Sequence, residues 1–294
     1  MTIDRDPFGR SYRSGRLSDE ETAERMLRTG VARVMQEGLR VSFDLLRLED
    51  LIAEAGVARS AVYRRWPTKN HYYADLLRRL TDFEGSGLNR YAAATVGTVV
   101  AALRERIDRL ASPEGRRSVL VELCRIGIEH NFLTVSEAPE WHIYVTIAAT
   151  MTTLPDDGEL RRDLQRSLYE SESSFFDRMA GVYTTLWGLV GYRVRPDLTE
   201  LDMRTIGQIG AAIVEGVGLN SIADPQMRAR RFRIDPYHTG EQAEWSLPAL
   251  GFTSLLLSLL EPDPAAPGPW DGTQLAARRR TLEEFARGLE PDAP

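Results

Sequence analysis

The sequence predicts an all-α protein in which a small N-terminal helical domain precedes a larger helical domain. Apolar residues recur at spacings of three and four along almost the whole chain, which is the period of helices with one buried face. No run of strict apolar–polar alternation stands out, and no Asn-Gly or Asp-Gly pair joins two β-rich segments. With 294 residues, 43% of them hydrophobic, the chain is long enough for two packed domains.

The first predicted helix begins after Ser18, which forms a capping-box pattern with Glu21. A stripe of apolar residues follows, and Gly38 is a natural C-terminal stop. Residues 1–17, which precede this helix, carry four arginines and two aspartates. We therefore expect residues 1–17 to form a flexible basic arm.

Three more short helices complete the N-terminal domain. Helix-sized segments cover residues 48–55 and 58–65 and are separated by Gly56. A fourth begins after Thr68, a good N-cap residue, and runs to about Leu80. Residues 84–87, Glu-Gly-Ser-Gly, mark a break, so the predicted domain spans residues 18–85.

The rest of the chain reads as long helices. They cover roughly residues 91–110, 115–130, 137–153, 158–192, 200–222, 245–260 and 273–289. Residues 223–244 are polar and predict a loop. We place a large helical domain at residues 86–261, followed by a proline-rich linker and C-terminal helix at 262–294. The arginine run 278–280 of that last helix favours a solvated face.

The two helices joined at Gly56 have the size and spacing of a helix-turn-helix. On one side of the second helix, apolar residues are expected to pack against the first helix and fix the angle between the two. The other side presents hydrogen-bond donors suited to the major groove. Residues 57–69 carry four basic side chains and no acidic one. The alternative is an ordinary solvated surface. The candidate DNA-binding residues are Arg59, Ser60, Tyr63, Arg64, Thr68 and Lys69.

The stretch LEDLIAEAGVARSAVYRRWPTKNHYYADLL resembles the DNA-binding signature of TetR-family transcriptional regulators. The matching positions are Leu51, Ala55, Gly56, Val57, Tyr63, Trp66 and Lys69. The resemblance covers about 60 residues and implies that Tyr63 and Lys69 contact DNA phosphates. Two positions depart from the family pattern: Ile52 replaces the usual alanine, and Ala58 replaces the usual serine, which removes an expected N-cap.

The resemblance also implies a homodimer that binds a palindromic, inverted-repeat operator on double-stranded DNA. It makes residues 86–261 the effector-binding and dimerisation domain. Residues 206–225 and 246–260 resemble the family's dimer helices, and the alternative places both in the core of a monomer. A repressor released by a small, largely apolar effector is the implied mechanism. Candidate effector-contacting residues, which would otherwise be ordinary core, are Phe132, Trp141, His142, Tyr144, Met151, Phe176, Tyr183 and Trp187.

Other functional classes find little support in the sequence. The four histidines lack metal-ligand spacing, and phosphate-binding loops and a Gly-x-Ser-x-Gly elbow are absent. We expect no enzyme activity, no metal and no cofactor. Without a secretory signal or a run of 18 apolar residues, we expect a cytoplasmic protein that does not bind membranes. The alternatives are a helical small-molecule-binding protein that has lost DNA binding, and an unrecognised helical enzyme using Glu122, Glu129 or Glu170.

Overall fold

The computed structural model of the protein describes residues 17–39, 47–81, 88–154 and 158–289. Helices dominate these residues, and strands are confined to four segments of three residues each within them. The predicted all-α class is therefore confirmed. Nearly all of the predicted basic arm, and the Glu-Gly-Ser-Gly break, lie outside the described residues.

The chain divides into two compact units, Met1–Leu80 and Thr81–Pro294. The first contains the four short helices that the sequence predicts. Its capping box is present, since the Ser18 side chain accepts from the Glu21 N–H at 3.0 Å while Glu21 accepts from the Ser18 N–H at 2.7 Å. The helices are α1 (Asp19–Glu37), α2 (Leu48–Ala55), α3 (Arg59–Arg65) and α4 (Lys69–Leu80).

Tyr72 is the central side chain of the N-terminal unit. It is fully buried, and its hydroxyl donates a 2.9 Å hydrogen bond to the Met26 carbonyl of α1. A Cβ at Gly30 would lie 2.3 Å from that hydroxyl, so α4 can approach α1 only over a glycine. Burial raises the pKa of Tyr72, which therefore stays a neutral donor.

The helices of the C-terminal unit agree with the predicted ones to within a few residues. A 3₁₀ helix, Ile107–Ala111, follows the first of them. Their shared core contains Leu120, Leu186 and Phe252. The α-helices are α5 (Leu88–Arg106), α6 (Pro113–Val135), α7 (Pro139–Met151), α8 (Glu159–Val190), α9 (Met203–Ala223), α10 (Pro225–Ala229), α11 (Leu247–Leu259) and α12 (Gly272–Arg287).

Four short strands form two antiparallel pairs. Strands β1 (Tyr192–Val194) and β4 (Leu260–Pro262) pair with Arg193 opposite Glu261, and these two side chains form a 2.8 Å ion pair. Strands β2 (Phe232–Ile234) and β3 (Ala243–Trp245) pair with Phe232 opposite Trp245.

The prediction of a plain loop over residues 223–244 was wrong. The segment contains α10, β2 and the first residues of β3. Asp235 closes the turn by accepting from the N–H groups of Thr239 and Gly240 at 2.9 and 2.8 Å. Tyr237 packs edge-on against the buried Trp245 with ring centroids 5.1 Å apart. The hairpin is therefore stabilised by aromatic packing that polar composition did not reveal.

Helix α9 packs through its glycines against aromatic rings of its own unit. A Cβ on Gly207 would lie 3.3 Å from Tyr183, one on Gly210 would lie 2.4 Å from Phe252, and one on Gly218 would lie 3.1 Å from Trp141. By length and composition α9 alone among the described helices would suffice to cross a membrane, and 28% of its most apolar stretch is buried. Its exposed side includes Ile209, Leu219 and Ile222.

The C-terminal segment of the second unit packs against the rest of that unit and is not fully solvated. The Arg278 guanidinium lies 3.5 Å from the ring centroid of the buried Trp270. Arg116 stacks on the same indole at 4.2 Å. Arg278 also donates to the carbonyls of Gly188 and Leu189 at 3.0 and 3.1 Å, which are among the last carbonyls of α8. The expected solvated face of α12 is thus wrong for Arg278.

Candidate DNA-binding helix and ligand cavity

A left-handed glycine sets the angle between α2 and α3. Gly56 has φ 63° and ψ 37°, a conformation that costs other residues strain. Its N–H donates to Ala53 O at 3.2 Å and closes α2. Leu51 of α2 and Val62 of α3 are both buried on either side of this turn. This is the arrangement that a helix-turn-helix requires.

The opposite face of α3 is open to solvent. The Arg59 and Arg64 side chains are 68% and 51% exposed, and Ser60 is also exposed. Thr68 and Lys69 are exposed at the start of α4, and Tyr63 is half-buried. All six predicted DNA-contacting residues therefore lie on α3 or at its junction with α4.

Trp66 anchors the end of α3. Its indole is buried and donates to Asp75 Oδ2 of α4 at 2.8 Å. It also meets Tyr72 edge-on, with ring centroids 5.2 Å apart. This packing joins α3 to α4 and to the core of the N-terminal unit, so the exposed face of α3 has a fixed orientation within that unit.

Two carboxylates from other helices lie against the donor face of α3. The Tyr63 hydroxyl donates to Glu49 Oε1 of α2 at 2.9 Å, and Arg59 lies 3.6 Å from the same oxygen. Arg64 forms an ion pair with Asp19 of α1. The hydrogen bond from Tyr63 holds the pKa of Glu49 below its usual value. Residues 57–69 contain no acidic side chain, so this stretch offered no reason to expect acidic partners there. The partners, Glu49 and Asp19, lie earlier in the chain.

A cavity of about 310 Å³ lies within the C-terminal unit. Helices α6, α7, α8 and α9 line most of it. Three of the predicted effector-contacting residues, Trp141, Tyr144 and Phe176, are among its lining residues. Trp141 and Tyr144 come from α7, and Phe176 comes from α8.

The other predicted residues lie elsewhere. Tyr183 and Trp187 line an adjoining cavity of about 90 Å³, which shares Phe176 with the larger one. Phe132 is fully buried in the core and lines neither space. His142 is exposed, with its ring 5.3 Å from that of Trp141. Met151 lines a separate, shallow surface groove.

Polar groups in the larger cavity were missed from the sequence. They include Asn131, Glu172, Gln208 and Glu215. Glu215 had a visible signal, since it is the one charged residue in the apolar stretch 205–223. A lone carboxylate in such a helix costs free energy unless it has a partner or a task. Glu172, in the polar first half of α8, had no such signal.

The two cavity carboxylates interact with Tyr144. Its hydroxyl donates to Glu172 Oε1 at 2.7 Å. Burial, together with the negative charge on Glu172, raises the pKa of Glu215 to about 7. The pKa of Tyr144 is also raised, mainly by burial and secondly by its hydrogen bond to Glu172. The cavity is therefore mostly apolar but electrostatically negative where these groups meet.

Comparison with known proteins does not assign the chain to a family. No protein-family profile matches it, and no curated protein sequence does. One solved structure that matches the chain is that of a protein from Saccharomonospora viridis, described as a transcriptional regulator by proposal, in complex with choline. The two chains are 14% identical, with a TM-score of 0.40 over 82% of this chain and 99% of that one. Inferences about function therefore rest on the geometry of α3 and of the cavity.

The carboxylates considered for catalysis do not converge. Glu122 forms a 2.8 Å ion pair with Arg125, Glu129 pairs with Arg231, and Glu170 is exposed. Among the described residues, no group of three or more His, Cys, Asp or Glu side chains is placed to hold a metal ion. Cys124 is buried, and burial raises the pKa of its thiol, so it is a poor nucleophile.

Proposed function

We propose that the protein is a sequence-specific DNA-binding transcriptional regulator of the TetR type, acting as a homodimeric repressor. One observation carries the proposal: α3 turns a row of exposed donors outward while Val62 and Trp66 lock its other side into the core. A helix held in this way fits the major groove of B-DNA. The stretch that resembles the TetR DNA-binding signature covers the same residues.

The exposed donors divide into two roles. Arg59 and Arg64 read base edges, since a guanidinium forms two hydrogen bonds to guanine O6 and N7. Tyr63, Thr68 and Lys69 bind phosphates, with Lys69 at the N-terminus of α4, where the helix dipole favours an anion. Glu49 and Asp19 occupy three of these donors when DNA is absent.

Dimerisation through α9 accounts for its exposed apolar side. Ile209, Leu219 and Ile222 lie on the half of the helix opposite its buried residues, where they form a broad apolar stripe, and Leu219 and Ile222 are 44% and 65% exposed. A second copy of the chain, related by a twofold axis, would cover this stripe with the same stripe. Such symmetry would place two recognition helices about 34–36 Å apart, one turn of DNA.

The cavity of the C-terminal unit is the proposed effector site. Its aromatic walls and few polar groups suit a small, largely apolar molecule. Effector binding would shift α4 and change the separation of the two recognition helices. DNA affinity would then fall, because both half-sites cannot be bound at once.

The deciding experiment is operator selection from random duplex DNA, followed by sequencing of the bound fraction. We expect an enriched inverted repeat whose half-sites are centred about one helical turn apart. The control is a Tyr63→Phe, Lys69→Ala double variant, which should retain its helical circular dichroism but lose enrichment. If folded wild-type protein enriches no sequence at low salt, the DNA-binding proposal is refuted in favour of a helical small-molecule-binding protein.

A further inference from the structure

The larger cavity contains two carboxylates that come from different helices. Glu172 lies on α8 and Glu215 on α9, and both are among the lining residues of the 310 Å³ space. Both side chains are partly shielded from water. Among the described residues, neither takes part in an ion pair within 4.0 Å. Two acidic side chains therefore share a confined space, and within the part of the chain that the structure describes neither has a cation paired with it.

Neutral and basic residues also line the cavity beside these two carboxylates. The Tyr144 hydroxyl donates a hydrogen bond to Glu172, which stabilises the carboxylate without cancelling its charge. Arg178 is the basic residue of the lining, and its Nη1 donates to Ser174 Oγ at 2.8 Å. The pKa of Glu215 lies near neutral pH, because burial and the charge of Glu172 oppose its ionisation. A bound cation would relieve this opposition.

Aromatic rings complete the walls. Trp141 is 4% exposed, and Phe175 and Phe176 meet edge-on with centroids 5.2 Å apart. A cation near the face of an aromatic ring is attracted by the ring quadrupole, most strongly when it is desolvated. Alkyl or aryl groups gain free energy against the same rings. A neutral ligand would leave the two carboxylates without a counter-charge.

We propose that this cavity binds an organic cation, an ammonium group with apolar substituents. Its positive charge would lie beside Glu172 and Glu215, and its apolar part would lie against Trp141, Phe175 and Phe176. The inference deepens the proposed function, because it names the chemical class of the effector. Release of DNA by the cation depends on the proposed regulator function, whereas binding of the cation to the cavity does not.

A matched set of probes tests the charge requirement. The cation is (4-hydroxyphenyl)trimethylammonium, the neutral isostere is 4-tert-butylphenol, and the anion is 4-hydroxybenzoate. Isothermal titration of the full-length protein at pH 8, where Glu215 is ionised, should give the order cation, isostere, anion. We expect the cation to bind at least about tenfold more tightly than the isostere. Equal or tighter binding of the isostere or the anion, or no cation binding at millimolar concentration, would overturn the proposal.

Three variants then locate the site. Glu172→Gln and Glu215→Gln should each weaken cation binding about tenfold and leave 4-tert-butylphenol within about twofold. Glu170→Gln changes an exposed carboxylate on the same helix, two residues from Glu172, and should change neither. If Glu170→Gln weakens cation binding as much as the cavity variants do, the charge effect is not specific to the cavity and the proposal fails. Circular dichroism of each variant checks that the helices remain.

The two proposals fail in distinguishable ways. If the cation binds in the expected order but no operator is enriched, the ligand class stands and the regulator function falls. If an operator is enriched but the cation binds no better than its isostere, the regulator function stands and the ligand class falls. If both hold, the cation should release an enriched operator from wild-type protein, and Glu215→Gln should need about tenfold more cation for the same release.

Discussion

The Tyr63 hydroxyl donates a 2.9 Å hydrogen bond to Glu49 Oε1, joining the donor face of α3 to the first turn of α2. The same carboxylate lies 3.6 Å from Arg59. A phosphate that takes these donors must displace Glu49 and stay close to its charge. The carboxylate therefore orients the donors, and in the proposed complex it would compete with DNA phosphates for them.

Glu49→Gln should consequently tighten binding to the selected operator, by roughly threefold to tenfold at low salt, because a repulsive charge beside the phosphates is removed. Fluorescence anisotropy with labelled duplex would measure it. Glu37→Gln, in the last turn of α1, provides the control and should bind as wild type does. Weaker binding by Glu49→Gln would mean that orientation of Tyr63 outweighs the repulsion.

Lys69→Ala and Arg59→Ala should separate phosphate binding from base reading. The lysine variant should bind all sequences more weakly and lower the salt slope by about 1 for each phosphate that the protein no longer neutralises. The arginine variant should lose about 1–3 kcal/mol on the preferred operator and bind altered half-sites nearly as well. Both are measured by anisotropy on operator and mutated duplexes over a salt series. The same behaviour in both variants would refute the division of roles.

Leu219→Arg should convert a dimer into monomers, because a guanidinium would be placed in the apolar stripe of α9. Sedimentation velocity at micromolar protein reports the mass directly. The matched control is Ile234→Arg on β2, since Ile234 is similarly exposed but lies outside the stripe. A wild-type protein that sediments as a monomer, or a Leu219→Arg variant that remains dimeric, would exclude this interface.

Gly210→Ala should destabilise the C-terminal unit by about 1–3 kcal/mol, since the new Cβ would lie 2.4 Å from the Phe252 ring. Gly181→Ala is the matched control, because Gly181 is an exposed residue of α8 with nothing within 4 Å of the new Cβ. Better helix propensity should stabilise that variant by up to about 1 kcal/mol. Urea unfolding followed by circular dichroism measures both. Equal effects would show that α9 does not pack closely on Phe252.

The raised pKa of Glu215 predicts a pH-dependent stability. Its pKa is about 7 in the folded protein against an ordinary value of 4.5, so between these values the folded state binds more protons than the unfolded state. The free energy of unfolding should fall as pH rises through this window, by about 1–2 kcal/mol after solvent screening. Glu172, Tyr144 and Arg178 are the other ionisable groups that line the same cavity.

Glu215→Gln should remove most of that decline, since the amide does not ionise. The measurement is chemical denaturation of both proteins at several pH values from about 5 to 8, which spans the window. The Glu170→Gln protein supplies the reference slope for an exposed carboxylate of α8. Identical pH profiles for wild type and Glu215→Gln would show that Glu215 ionises as a solvated group does.

Local features of the chain were predictable because they depend on residues a few positions apart. The Ser18–Glu21 capping box, the Gly56 turn and the bounds of α2 all follow from contacts within one or two helical turns. Apolar spacing likewise placed Val62 and Trp66 inside and the donors of α3 outside. Polar composition failed over residues 223–244, where a hairpin is held by Trp245 and Tyr237.

The sequence by itself determined the helical class, the helix-turn-helix and the exposed donor face of α3, since helix period, caps and turn glycines act over short range. Only the tertiary structure decided which groups meet across the chain. Glu49 reaches Tyr63 over 14 residues, and Tyr144 reaches Glu172 over 28. Such pairs depend on how helices pack rather than on any pattern along one of them. For that reason the acidic, aromatic character of the cavity became visible only when α7, α8 and α9 were brought together.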